Sequence, residues 1–343
     1  MLYFVILFLW VSFLIYLLMG GADFGAGVLE LFFNNSDNSR FRKNAYHAIG
    51  PIWEANHMWL IIAVVILFVG FPEVFSTVCV FLHIPMLIML LGIIARGTSF
   101  TFRHYDAVQD HWQAHYNRIF AWSSFITPLF LGIIAGSAVA RTIDTESTSF
   151  VVSYIWSWLN WFSVLSGLFT VFLCGFLAAI YLLGEADSEE LQNSYRRKAN
   201  IMIFAMLGCA ILIFVAAAKQ SIPLQHWIFG NLTGWATVLP AAAALLILWS
   251  KINAGSFKNI RLFSGFIVTM LLISVTYAHF PNIILLKNGH DLSLTDQNTP
   301  TKTIHVLGQA LIWGSLLILP SLVYLVYSFH KKEAFPVTKE KPE

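Results

Sequence analysis

Charge is scarce in this chain. Asp, Glu, Lys and Arg make up 11% of its 343 residues, against 58% hydrophobic, and the mean hydropathy is +0.72. A soluble domain carries about a quarter of its residues as charges, so that class is excluded. Cysteine is rarer still. Cys79, Cys174 and Cys209 each lie inside an apolar run with no pair at metal-ligand spacing, which predicts small core residues and no structural disulfide. Nucleotide-binding loops, nucleophile elbows and soluble domains are missing from the pattern. The apolar runs do not alternate in polarity, which excludes a membrane barrel. The net charge of +2 says little about partners.

What is present is a series of apolar runs near the roughly 20 residues that cross a bilayer core of about 30 Å. The sequence predicts an all-α polytopic membrane protein with nine spans. These are Tyr3 to Phe24, Ile52 to Phe71, Val74 to Ala95, Ile119 to Ala140, Trp161 to Leu183, Ile201 to Ala218, Trp235 to Ser250, Leu262 to Phe280 and Ile304 to Tyr327. Pro72 and Glu73 make a tight corner between the second and third. The first run has no basic residue before it, so it reads as a retained span rather than a cleaved signal. Trp156, Trp158, Trp161, Trp227 and Trp235 flank spans as interfacial anchors.

Alternating the connections assigns the basic residues to two sides. One side takes 16 of the 20 Lys and Arg, including Arg40, Arg42, Lys43, Arg96, Arg103 and Arg118; the other keeps only Arg141, Lys219, Lys287 and Lys302. By the positive-inside rule the C-terminus is cytoplasmic and the N-terminus outside.

Asp23, in GGADFGAGVLE, and Glu54, in GPIWEANHMWL, are the carboxylates set well inside long apolar runs. A lone ionised carboxylate there is costly unless paired, hydrated or protonated, which makes both functional candidates. Their alternative role is as helix caps at the interface. Gly20, Gly21, Gly25 and Gly27 bare the backbone around Asp23, so a helix or a file of water can approach. At 1.5 Å per residue, Asp23 lies roughly 30 Å, Glu54 roughly 26 Å and Arg96 roughly 33 Å from the outer ends of their spans. Sequence alone leaves open whether this one polar layer includes direct contacts.

Histidines are the remaining candidate ligands. His104, His111 and His115 recur at helical spacing in the connection Arg96 to Arg118, but no acid or Cys completes a metal set. His57 and His83 differ in depth by roughly 7 Å, a poor match for two axial ligands of one haem. His83, next to Pro85, is expected to hydrogen-bond across helices.

GADFGAG followed by a basic stretch and GPIWEANHMWLI resembles the signature of subunit II of the cytochrome bd quinol oxidases. RGTSFTFR (Arg96 to Arg103), FPN (Phe280 to Asn282) and SLT (Ser293 to Thr295) extend the likeness through most of the chain. The resemblance implies two four-helix bundles plus a peripheral helix, with divisions near residues 1–140, 150–281 and 303–328. It implies a subunit that binds no haem itself and partners a haem-bearing subunit I carrying b- and d-type (or only b-type) haems. That complex oxidises quinol and reduces dioxygen to water in the bacterial plasma (inner) membrane, amid membrane lipids and with small single-helix accessory subunits as an open addition. No nucleic acid is involved. It maps proton-relay roles onto Glu54 and Asp23, supported in the polar layer by Trp53, Asn56, Trp59, Arg96 and Arg103. Glu54 and Ala55 stand where Asp and Gly are usual, and His57 and Met58 also depart from the pattern. A stand-alone proton-coupled transporter is the alternative, since buried acids and Gly-rich helices would serve it too.

Overall fold

The computed structural model describes residues 1–32, 53–105, 112–186, 188–296 and 299–332. Its long helices are α1 (Leu2–Phe32), α2 (Trp53–Gly70), α4 (His83–Tyr105), α5 (Gln113–Val139), α7 (Trp161–Leu183), α8 (Glu189–Lys219), α10 (Leu232–Asn253), α11 (Ile260–Tyr277) and α12 (Thr301–Lys332). Short helices α3 (Pro72–Phe81), α6 (Phe150–Tyr154) and α9 (Leu224–Phe229) and strands β1 (Asn282–Ile284) and β2 (Leu292–Ser293) lie between them. Among the described residues, eight helices are long and apolar enough to cross a membrane, or nine when α2 and α3 count as one broken span. The protein is an all-α, multi-pass membrane protein.

The expected third span is displaced. Proline at the start of α3 sets it at 113° to α2, so Pro72–Phe81 is a separate short helix and not the beginning of a span from Val74. The real third span starts at His83 and runs to Tyr105, past the expected end at Ala95. Arg96 ended the apolar run in sequence. In the fold its charge is neutralised, so the helix continues. The same reason carries α1 past Asp23 to Phe32. On this corrected start Arg96 lies only roughly 20 Å along its helix, yet the shared level with Asp23 holds because the two touch.

Helix ends follow local chemistry. The Asn160 side chain accepts from the Ser163 amide at 2.9 Å and opens α7, while Ser188 does the same for α8 ahead of Glu189 and Glu190. Helix α1 joins the two halves of the molecule. Its N-terminal half buries Val5, Ile6 and Leu9 with Ala63 and Ile66 of α2 and Ile304 and Leu307 of α12. Its C-terminal half buries Ala26 and Leu29 with Leu173, Phe176 and Ile180 of α7. Apolar burial drives little between helices in lipid, so close backbone packing matters more there. A Cβ on Gly25 would collide with the Cys174 carbonyl, and one on Gly27 with the Ser124 hydroxyl. The glycines thus bring helices α7 and α5 against Asp23 from two sides.

One end of the bundle carries a polar cap. Strands β1 and β2 pair antiparallel with Asn282 opposite Ser293, and the Leu294 amide donates to the Pro281 carbonyl at 2.9 Å. The FPN and SLT stretches therefore meet across a short hairpin. All three cysteines are free thiols, with Cys174 and Cys209 buried.

Candidate functional site

Among the described residues Arg96 is the largest side chain buried below 2% exposure, and Asp23 is equally enclosed at 1%. The guanidinium donates to both Asp23 carboxylate oxygens, at 2.6 and 2.7 Å, and to the Asp23 backbone carbonyl at 2.9 Å. Its Nε donates to Ser124 of α5 at 3.0 Å. Two rings lie against it, with Phe24 at 4.8 Å and Phe120 at 5.0 Å from the guanidinium carbon. Such a planar, bidentate pairing is what arginine forms better than lysine.

The motif repeats seven residues on. Arg103 donates to Glu30 at 3.0 Å, with both side chains under a tenth exposed, and its guanidinium carbon also lies 4.9 Å from the centre of the Phe120 ring. Both pairs span the same sequence offset of 73, so α1 and α4 run parallel here and seven-residue steps keep both pairs on facing stripes. Phe120 and Ser124 come from α5 four residues apart and fill the space between. The result is a ladder of two ion pairs threaded through aromatic rings.

Glu30 was missed in the sequence because it sits near the end of its apolar run, where a solvated position is the default. The signal was available: Asp23 and Glu30 share the seven-residue spacing of Arg96 and Arg103. Asn56 and Trp59 are buried on α2. Trp53 and Glu54 open the same helix, and their side chains lie outside the described residues, as do Arg40, Arg42, Lys43, His111, the His104 side chain and the C-terminal tail.

No three His, Cys, Asp or Glu side chains converge as a metal site among the described residues. Among the described residues, His57 and His83 lie in separate surroundings. His57 packs near Tyr16 and Phe24 at ring distances of 6.5 and 6.1 Å. His83 starts α4, its Nδ1 on the Val80 carbonyl at 2.7 Å and its ring edge-on to Tyr154 at 5.2 Å. The bond expected across spans is thus a local one over the α3–α4 break. Measured along the helices, His57 lies roughly 20 Å from the end at which His83 sits, so the mismatch is larger than expected.

The family model for cytochrome bd terminal oxidase subunit II matches residues 1–329. The chain belongs to this family. Similar curated proteins include cytochrome bd ubiquinol oxidase subunit 2 of Bacillus subtilis, 24% identical with 94% of each chain covered. Cytochrome bd-I ubiquinol oxidase subunit 2 of Escherichia coli strain K12 is 23% identical, covering 99% of this chain and 97% of its own. Both relatives are subunits of an oxidoreductase complex. Among solved structures, the bd oxidase from Geobacillus thermodenitrificans superposes with a TM-score of 0.76 at 19% identity, covering 95% of this chain and 98% of that one, which shows the shared fold.

Proposed function

We propose that this chain is the subunit of a bacterial plasma-membrane bd-type oxidase that binds no haem itself, packs against a haem-bearing subunit I, and helps deliver protons from the cytoplasm during quinol oxidation and dioxygen reduction. The family match over nearly the whole chain carries the assignment to an oxidase and sets the transporter alternative aside. The buried Asp23–Arg96 pair supports the proton role. Both Asp23 oxygens are engaged by the Arg96 guanidinium, which leaves neither free to bond a further donor in the same way. Glu54, on the first turn of α2, is assigned the loading and unloading of a proton. Asn56, Trp59, Trp53 and Arg103 are assigned supporting roles.

The test is a pair of variants in the assembled oxidase. Glu54→Gln lowers turnover and proton uptake by factors on the order of a hundred, while Glu54→Asp retains much of both, because only the latter keeps a titrating group. Wild-type uptake in fully assembled Glu54→Gln would refute the relay. Orientation is tested separately. A reporter active only outside the membrane is silent after Lys332 and active within residues 281–303, as the positive-inside distribution requires. Purified alone, the chain gives no reduced-minus-oxidised haem spectrum.

A further inference from the structure

The seam between α1 and α2 holds polar groups that the ladder does not use. Helix α2 turns Asn56, Trp59, Ala63 and Ile66 inward, and α1 answers with Ser12 and Tyr16, all nearly fully buried. Ser12 satisfies itself by donating to the Phe8 carbonyl at 2.8 Å. Its neighbours do not. The Tyr16 hydroxyl, both amide atoms of Asn56 and the Trp59 ring N–H are enclosed with no hydrogen-bond partner among the described residues. Exposure is 3% for Tyr16, 0% for Asn56 and 4% for Trp59. Surface water and a neighbouring subunit therefore cannot reach them.

The residues that carry these atoms lie on facing stretches of α1 and α2. Tyr16, Phe24 and Trp59 belong to a single buried cluster, and Asn56 is one helical turn from Trp59 on the same face of α2. Tyr16 opens a π-helical turn, Tyr16–Gly20, which widens the backbone and displaces its carbonyls from regular α-helical pairing. Phe24, whose ring carries the Arg96 guanidinium at 4.8 Å, joins the cluster to the ion-pair ladder.

Buried polar atoms in native proteins are nearly always paired, and internal water is the usual partner where the chain supplies none. The chemistry here suits water. Asn56 offers a donor and an acceptor, Tyr16 can act as either, and Trp59 donates, giving the two to four complementary partners that an ordered water takes. No anionic oxygen is among them to favour a cation. We infer that Tyr16, Asn56 and Trp59 form a site for ordered water within the α1–α2 seam, extending the Asp23–Arg96 polar layer about two helical turns toward the N-terminal end of α1. Its part in proton delivery rests on the relay reading of Glu54, which begins the same helix two residues before Asn56.

Imaging the assembled oxidase at a resolution that shows ordered water tests the site directly. Water density within hydrogen-bonding distance of the Asn56 amide and the Tyr16 hydroxyl is expected; a dry contact in which these side chains bond only to each other would overturn it. Function is read in the same complex. Tyr16→Phe, which removes only the hydroxyl, and Asn56→Leu slow proton uptake about tenfold, and Asn56→Ser, which keeps a water-binding group, recovers most of it. Wild-type uptake in both disabling variants would remove the functional role. Wild-type uptake in Glu54→Gln with the density still present would instead refute the relay and leave the water site standing.

Discussion

Two bidentate arginine pairs join distant parts of this chain in opposite surroundings. Arg96 and Asp23 meet inside the bundle with side chains 2% and 1% exposed. Arg141 and Asp291 meet on the polar cap, at 3.0 and 2.7 Å, with the arginine side chain 44% exposed. The contacts are nearly the same and the energetics are not. On the cap, water reaches the arginine and screens the attraction, while Asp291 keeps the Leu286 amide as a second donor. In the bundle neither charge has a solvent alternative, so each is tolerated only because the other is present. A contact of one geometry is an accessory in the first place and a condition of folding in the second.

Breaking the buried pair from one side should therefore have the largest effect. Arg96→Met strands the Asp23 carboxylate and is expected to cost about 3–5 kcal/mol, seen as loss of assembled complex and a lower midpoint in detergent thermal denaturation. The double variant Asp23→Asn with Arg96→Met removes both charges and should recover much of that loss. If the double variant is as damaged as the single one, charge stranding is not the cause. The second rung is expected to be intermediate. Arg103→Met removes a charge-assisted hydrogen bond to Glu30 at the less enclosed end of the ladder, for about 1.5–3 kcal/mol. An effect as large as that of Arg96→Met would show the two rungs to be equally buried in the assembled complex. Smaller again, Arg141→Met on the cap should cost about 1 kcal/mol or less and should fade in high salt.

The comparison also marks what the sequence could reveal. Apolar runs were enough for the class and for the eight or nine spans with approximate borders, because a bilayer imposes a length rule that acts on each segment separately. The borders failed where a charge was paired. Reading outward from Arg96, a run of apolar residues has to stop; in three dimensions Asp23 removes the reason to stop, and α4 continues to Tyr105. The bend at Pro72 was visible as a corner, but the helix after it was not distinguishable from the start of a span. Asp23 and Arg96 were legible as members of one layer by depth alone, whereas their contact depends on helix rotation, which hydropathy does not encode. Glu30 and Tyr16 were passed over for the same reason, since their significance lies in what faces them.

The last and smallest effect concerns a second cap pair, in which Lys287 donates to Asp144 at 2.9 Å. The hydrogen bond from Lys287 holds the Asp144 carboxyl below the usual carboxylate range, helped by amides of Glu146 and Ser147. A carboxyl lowered in the folded state binds fewer protons there than in the unfolded state across the intervening pH window. Its stabilisation is therefore present above the ordinary carboxylate value and disappears as pH falls through the lower, folded value. Because the lysine is 59% exposed, the effect should stay local to the cap. Its reporter is the Lys287 amide, which donates to the Ile143 carbonyl at 3.0 Å and fixes the two loops together. Hydrogen exchange at that amide, corrected for intrinsic rate, should lose protection as pH is lowered through the acid range, while amides of α7 do not. Lys287→Met should abolish most of this pH dependence, since it removes the main cause of the shift. An unchanged pH profile in that variant would mean that the cap is held by its backbone pairing alone, and the contrast with the buried ladder would then be sharper still.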